Sequence, residues 1–174
     1  MRIISGKLRG RKLIAPKNIP ARPTTDRAKK ALFDILENRF DINNIRVLDL
    51  YSGTGNISYE FASRGCKEIT AIDKNYQSII YIEKIKKDLN LQIQTLKIDA
   101  LDSKQYLKNK FDIIFADPPY NYNKYPEIIT LFLCDKILTK QGFLIIEHHK
   151  NSQLNGKNME VRKYGDVNFS IFHL

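Results

Sequence analysis

From Arg46 onward the sequence alternates short continuous apolar runs with amphipathic stretches, and this rhythm leaves few folds open. The apolar runs are Val47 to Leu50, Ile69 to Ile72, Ile93 to Ile98, Phe111 to Ala116 and Phe143 to Ile146. Between them, Ile57 to Arg64 reads as a helix that Gly65 can end. Ile79, Ile82, Ile85 and Leu89 recur at helical spacing, Leu101 to Lys108 suits a short helix, and Pro126 to Leu133 a further one. Strands that are apolar on both faces, separated by helices, predict an α/β fold with a parallel sheet covered on both sides. After Lys150 the helical spacing stops. Met159 to Tyr164 and Val167 to Phe172, joined at Gly165-Asp166, predict an antiparallel hairpin on the sheet edge.

The first 31 residues have another texture. They hold ten basic residues, Arg2, Lys7, Arg9, Arg11, Lys12, Lys17, Arg22, Arg27, Lys29 and Lys30, and one acid, Asp26. Nine of the ten net positive charges of the 174-residue chain therefore lie there, ahead of a nearly neutral body. Ile3-Ile4 and Leu13-Ile14 around Gly6 and Gly10 predict a small basic β-hairpin, and Pro16, Pro20 and Pro23 an extended loop. Thr24 and Thr25 are N-cap residues, and Ala28, Ala31, Leu32, Ile35 and Leu36 predict a helix over Asp26 to Arg39. Such a surplus suits a polyanion, most simply a nucleic acid, although a solvated arm would carry the same charge.

The length suits one ordinary domain with a small appendage. No run approaches the roughly 18 to 20 apolar residues of a membrane span, and Met1 to Lys7 lacks the apolar core of a secretory signal. Cys66 and Cys134 do not form a disulfide framework, and with His148, His149 and His173 they show no metal-ligand spacing. The expectation is a cytoplasmic, monomeric protein without a metal.

Three acids mark a candidate ligand site. The first strand runs into Asp49, Ser52, Gly53 and Gly55, a strand–glycine turn–helix unit of the nucleotide-binding kind, with Ser58 in the third position of a G-x-G-x-x-G pattern. Asp49 would repel a pyrophosphate and attract a cationic amino-acid group. Asp73 ends the second strand 24 residues later, where such folds bond ribose hydroxyls, and Asp99, followed by Ala100, ends the third. Each acid alone could simply cap the following helix. Together, at the carboxyl ends of neighbouring strands, they point to a cationic nucleoside such as S-adenosylmethionine.

The fourth strand ends in Asp117-Pro118-Pro119-Tyr120. Two prolines stiffen the turn and fix the Asp117 carboxylate, the Pro118 carbonyl and the Tyr120 ring. Two acceptors beside an aromatic face suit a planar base with an exocyclic amine, which they can hold while positive charge grows on its nitrogen. A proline turn with a surface tyrosine is the plainer alternative.

At these residues the chain resembles a known family. An acid or amide, two prolines and an aromatic form the fourth motif of amino-group N-methyltransferases, and Asp49 to Gly55, Asp73 and Asp99 are similar to their first three motifs. RIISGKLRGRKL at the start, RPTTDR (Arg22 to Arg27), ASRG (Ala62 to Gly65) and YGD (Tyr164 to Asp166) resemble the RsmD family of bacterial 16S ribosomal RNA guanine-N(2) methyltransferases. Ser58 stands where that family usually has glycine, and Tyr120 where phenylalanine is also common.

The resemblance implies a Rossmann-like class I methyltransferase fold, with a seven-stranded, mostly parallel sheet and a basic N-terminal hairpin. Residues 1–24 would be the hairpin and loop, and 25–174 the methyltransferase domain. It implies S-adenosylmethionine as cofactor, held by Asp49, Ser52, Gly53, Gly55, Asp73, Asp99, Ala100 and Asp117. The implied partner is 16S rRNA in the small subunit or an assembly intermediate. Asp117 and Pro118 would position the target guanine's amine and Tyr120 its ring. Arg9, Arg11 and Lys12 are the expected phosphate contacts. Arg22 and Arg27 can touch RNA, close over the cofactor or only help start a helix. A DNA adenine-N(6) methyltransferase and a non-catalytic RNA-binding assembly protein are the competing functions.

Overall fold

The computed structural model describes residues 1–19, 24–119, 122–134, 137–152 and 154–174. Helix α1 (Asp26–Glu37) precedes strand β1 (Arg46–Leu50). Then follow α2 (Asn56–Ser63), β2 (Glu68–Asp73), α3 (Tyr76–Asp88), β3 (Gln94–Lys97), β4 (Phe111–Ala116), α4 (Tyr125–Cys134), β5 (Leu138–His149), β6 (Met159–Tyr164) and β7 (Val167–His173). The seven strands form one sheet in the order β3-β2-β1-β4-β5-β7-β6. Strands β1 to β5 are parallel; β7 runs antiparallel to both β5 and β6. The chain leaves β3 at one edge and re-enters beside β1 as β4. The order therefore reverses between β1 and β4, and open α/β sheets bind ligands beyond the carboxyl ends of strands at such a point.

Alternation along each strand sends residues to opposite faces. Val47, Ile113, Phe115 and Ile145 pack under α1, α2 and α3, where Leu32, Phe33, Phe61 and Ile82 are buried. Leu48, Leu50, Ile114 and Ile146 face the other way, against Ile128 and Phe132 of α4. The short helix expected at Leu101 to Lys108 is a 3-10 helix, Ala100–Tyr106. Strand β5 begins five residues earlier than its apolar run, because Leu138 pairs with Phe111 before a register shift, across the polar stretch Thr139-Lys140-Gln141. Among the described residues no helix is long and apolar enough to cross a membrane.

The N-terminal segment is built into the body. Ile3 and Leu13 lie in the same buried cluster as α1 and α2. The expected small hairpin is present around a 3-10 turn at Gly6–Leu8: Arg2 bridges Lys12, Met1 and Leu13 exchange backbone hydrogen bonds, and Ile3 pairs with Arg11 and Gly10. Helix α2 takes the hydrogen bonds that a longer ribbon would have made. The Ile4 and Ser5 amides donate to the Glu60 carboxylate at 2.8 and 3.0 Å, and the Leu8 amide to Ser63 Oγ at 3.0 Å. The approach is so close that a Cβ on Gly6, whose φ is +77°, would lie 1.9 Å from the Ser63 carbonyl oxygen.

Lys29, counted with the basic arm in the sequence, is fully buried instead. Its ammonium lies 3.1 Å from Glu60 and donates to the Arg2 carbonyl at 2.7 Å and to Asn56 Oδ1 at 2.8 Å. Glu60 also accepts from Arg64 Nε at 2.9 Å. Burial lowers the Lys29 pKa, and Glu60 opposes that shift. Beyond this knot the segment crosses α3, where the Tyr81 hydroxyl donates to the Ile14 carbonyl at 3.0 Å, and Ile19 reaches the rim of a cleft.

Candidate active site

The cleft, about 650 Å³, opens where the order of the sheet reverses. Asp49, Ser52, Gly53, Asp73, Asp117 and Pro118, all singled out from sequence, line it together with Arg27. Gly55, Asp99 and Ala100 are not among the described residues that do. Tyr120 and Arg22 lie outside the described residues.

The loop after β1 is held from β2. The Ser52 amide and hydroxyl both donate to the Ile72 carbonyl, at 2.9 and 3.1 Å. The Gly53 amide donates to Asp73 Oδ2 at 2.7 Å, and Asp73 Oδ1 accepts from the Asn75 amide at 2.7 Å. A carboxylate has about four lone-pair positions, so Asp73 keeps acceptor capacity for a ligand's hydroxyls. Tyr51, Gly53 and Gly55 all have positive φ, 57°, 52° and 76°. Gly55 permits a close approach, since a Cβ there would sit 2.7 Å from the Tyr59 ring.

Asp49 is 2% exposed. Its Oδ2 accepts from both the amide (3.1 Å) and the hydroxyl (2.5 Å) of Ser58. Burial pushes its pKa up to about 7, against the lowering effect of those two bonds. Ser58, which stands where the resembled family usually has glycine, thus supplies a second donor that keeps Asp49 closer to ionisation.

Asp117 follows β4 and is partly exposed to the cleft. Burial raises its pKa well above the usual carboxylate range, and the charges of Glu147 and Asp49 add to the rise. Glu147, near the end of β5, is 6% exposed, and burial pushes it to about 7. Its Oε2 accepts from the Thr24 hydroxyl at 2.7 Å, which ties the approach to α1 onto the cleft wall. Thr25 is the N-cap, accepting from the Ala28 amide at 3.3 Å.

Asp99 and Ala100 sit aside. The Asp99 side chain accepts from the Leu101 amide at 3.1 Å, capping the 3-10 segment, and lies 3.6 Å from Lys74. On the far side Tyr51 and Tyr122 share a 2.6 Å hydroxyl–hydroxyl bond, and Tyr122, Tyr125 and His148 continue an edge-on row of rings. The His148 ring lies between the His149 carbonyl and Ser170 Oγ. A neutral ring, donating from Nδ1 and accepting at Nε2, satisfies both, in line with the pKa that burial lowers.

Asp49, Asp73, Asp117 and Glu147 thus line one cleft, and among the described residues none of the four forms an ion pair. That set of acidic acceptors fits a ligand that brings its own positive charge. The family model described as Conserved hypothetical protein 95 matches residues 1–173, which is nearly the whole chain. The chain belongs to the RsmD family. A relative in the same family is the ribosomal RNA small subunit methyltransferase D of Buchnera aphidicola (subspecies Acyrthosiphon pisum). It is 35% identical over 87% of this chain and 80% of its own length. A solved hypothetical protein of Thermus thermophilus superposes on this RsmD-family chain with a TM-score of 0.87 at 25% identity, covering 100% of this chain and 99% of the other. The 16S rRNA N2 G1207 methyltransferase RsmC of T. thermophilus superposes at 0.73, with 17% identity, over 99% of this chain and 49% of the other. That second likeness shows a shared class I methyltransferase fold.

The cleft of this RsmD-family chain also contains a group that the sequence does not single out. Glu147 carries no chemistry when read from sequence, because a lone acid after a strand is an ordinary residue until its neighbours are known. Its place two strands from Asp49, in register with Asp117, is the signal that marks it. Arg9, Arg11 and Lys12 are exposed outside the cleft, on the segment that leads to its rim.

Proposed function

We propose that this chain methylates the exocyclic N2 amine of a guanine in bacterial 16S rRNA, with S-adenosylmethionine as donor. By family resemblance the target is G966 of the small subunit. The observation that carries this reading is the convergence of the Asp117-Pro118 turn and the Asp49–Asp73 loop in one acidic cleft. The names of the small-subunit methyltransferase relatives support the RNA substrate.

Asp73 would accept from the ribose hydroxyls of the cofactor, the Ser52-Gly53 turn would pass close against it, and Asp49 would offset its positive charge. When bound, S-adenosylmethionine supplies a methyl carbon on a cationic sulfur, which keeps the C–S electron pair as the new N–C bond forms. Asp117 and the Pro118 carbonyl accept the amine N–H groups, which aims the nitrogen lone pair at that carbon. As the bond forms, positive charge grows on nitrogen, and the Asp117 carboxylate stabilises it and takes up the released proton or passes it to solvent. The guanine leaves its stack to reach the cleft, as base-modifying chemistry requires. Arg27 at the rim, with Arg9, Arg11 and Lys12 along the segment, would bind phosphates.

The test is mass spectrometry of nucleosides from 16S rRNA, protein-free and in subunits, after incubation with cofactor and either wild type or Asp117→Ala. N(2)-methylguanosine is expected from wild type, and at least about 100-fold less from the variant. N(6)-methyladenosine, or an undiminished variant, would refute the assignment.

A further inference from the structure

Glu147 has no role in the chemistry above, yet its position is specific. Strands β4 and β5 pair Ala116 with Ile146, so the next residues, Asp117 and Glu147, leave neighbouring parallel strands at matched register. Matched register puts both side chains on the same face, with strands about 4.8 Å apart. Asp49 is on that face too, since it pairs with Phe115, two residues before Asp117. Both Asp117 and Glu147 line the cleft. Among the described residues, Oε2 is the only Glu147 oxygen with a hydrogen-bond partner, and the Asp117 carboxylate has none. A nearly sealed carboxylate with one spare oxygen, beside another with both spare, is a pair of acceptors waiting for a pair of donors.

Guanine offers such a pair. On its Watson–Crick edge N1–H lies next to the N2 amine, so two neighbouring groups donate. Adenine puts an acceptor, N1, next to its N6 amine, and that lone pair would face a carboxylate. We infer that Glu147 determines base specificity by accepting the guanine N1–H, while Asp117 and the Pro118 carbonyl hold the N2 amine. This rests on the guanine-N(2) reading of the site. The Thr24 hydroxyl fixes the side chain by occupying Oε2, which leaves Oε1 for the base. Recognition and reaction are then divided between two adjacent strands, with β5 reading the base and β4 orienting the nitrogen.

The test compares RNA carrying guanine or 2-aminopurine at the target position. 2-Aminopurine keeps the amine and lacks N1–H and O6. Wild type should prefer guanine in kcat/KM, and the part of that preference due to Glu147 should be roughly 10- to 100-fold, the range for a hydrogen bond to a charged group. Glu147→Met, which fills the same space without an acceptor, should lose that part. Glu147→Gln, which keeps a neutral acceptor oxygen, should retain a smaller preference, about 2- to 10-fold. Effects of O6 and of intrinsic amine reactivity are common to all variants and cancel in the ratio. A purely structural Glu147 would change the two rates together. An unchanged guanine/2-aminopurine ratio in both Glu147→Met and Glu147→Ala overturns the inference while leaving the function intact. A wild type that forms no N(2)-methylguanosine overturns both.

Discussion

Replacing Glu60 by alanine should be among the most damaging single changes outside the cleft. The Glu60 carboxylate is fully buried and accepts from the Ile4 and Ser5 amides, from Arg64 Nε and from Lys29. Its removal leaves the Lys29 ammonium buried without its counter-charge. Breaking a buried pair from one side costs about 3–5 kcal/mol. The two orphaned amides add about 1 kcal/mol each where water does not reach them. A total of about 5–7 kcal/mol is a large share of the roughly 5–15 kcal/mol that holds a typical domain together. Urea unfolding of wild type, Glu60→Ala and a Lys29→Met/Glu60→Leu pair variant would measure it, with amide exchange at Ile4 and Ser5 as a local probe. The pair variant should recover most of the loss, because two well-packed apolar side chains need no partner. The sign with pH is also defined. The folded-state pKa of Lys29 is already lowered by burial, and loss of Glu60 lowers it further. The unfolded state then binds more protons, so the stability of Glu60→Ala should rise with pH up to the unfolded lysine value of about 10.4. A loss below about 1 kcal/mol in Glu60→Ala, with unchanged exchange at Ile4 and Ser5, would refute the reasoning.

Other outcomes follow from the same contacts. Asp49 and Glu147 titrate near 7 because burial raises both, so the folded state holds extra protons from about pH 4 to 7, and unfolding free energy should fall as pH rises through that window. A cationic ligand favours the ionised carboxylates, so S-adenosylmethionine should bind more tightly as pH rises from about 5 to 7 and release protons; calorimetry in two buffers of different ionisation enthalpy would detect this, and a pH-independent affinity would contradict it. The Arg9→Ala/Arg11→Ala/Lys12→Ala variant should flatten the salt dependence of binding to single-stranded RNA by about 2 in log–log slope, and an unchanged slope would remove those residues from the interface. Gly6→Ala should cost about 2 kcal/mol or more in chemical denaturation, since both its positive φ and the Ser63 carbonyl oppose a side chain there.

The burial of Lys29 and the seating of Ile3 and Leu13 in the core alter how the basic segment can be probed. Deleting the first 14 residues, a natural way to test RNA docking from sequence alone, would also uncover Glu60 and open the core. Substituting the exposed Arg9, Arg11 and Lys12 leaves that scaffold in place.

Much of the architecture was legible in the chain itself. The apolar run Phe111 to Ala116 is a strand with those same ends, the Met159 and Val167 strands pair as a hairpin, and Asp49, Asp73 and Asp117 lie at or just beyond strand ends. Local periodicity settles such features because a strand or helix is built from neighbours in sequence. The charges behaved otherwise. Lys29 belongs to a basic run in sequence and to a buried ion pair in space, because Glu60 comes from another helix. Strand β5 extends through polar residues because Leu138 finds Phe111 across the sheet. Glu147 becomes noteworthy only when β5 is placed next to β4, in register with Asp117. Sequence alone thus determined most of the strand and helix segments and placed the Asp117-Pro118 turn directly after β4. Tertiary structure alone decided which charges are buried, which are shared and which face the cleft, because the energy of a charge depends on partners and solvent that lie far away along the chain.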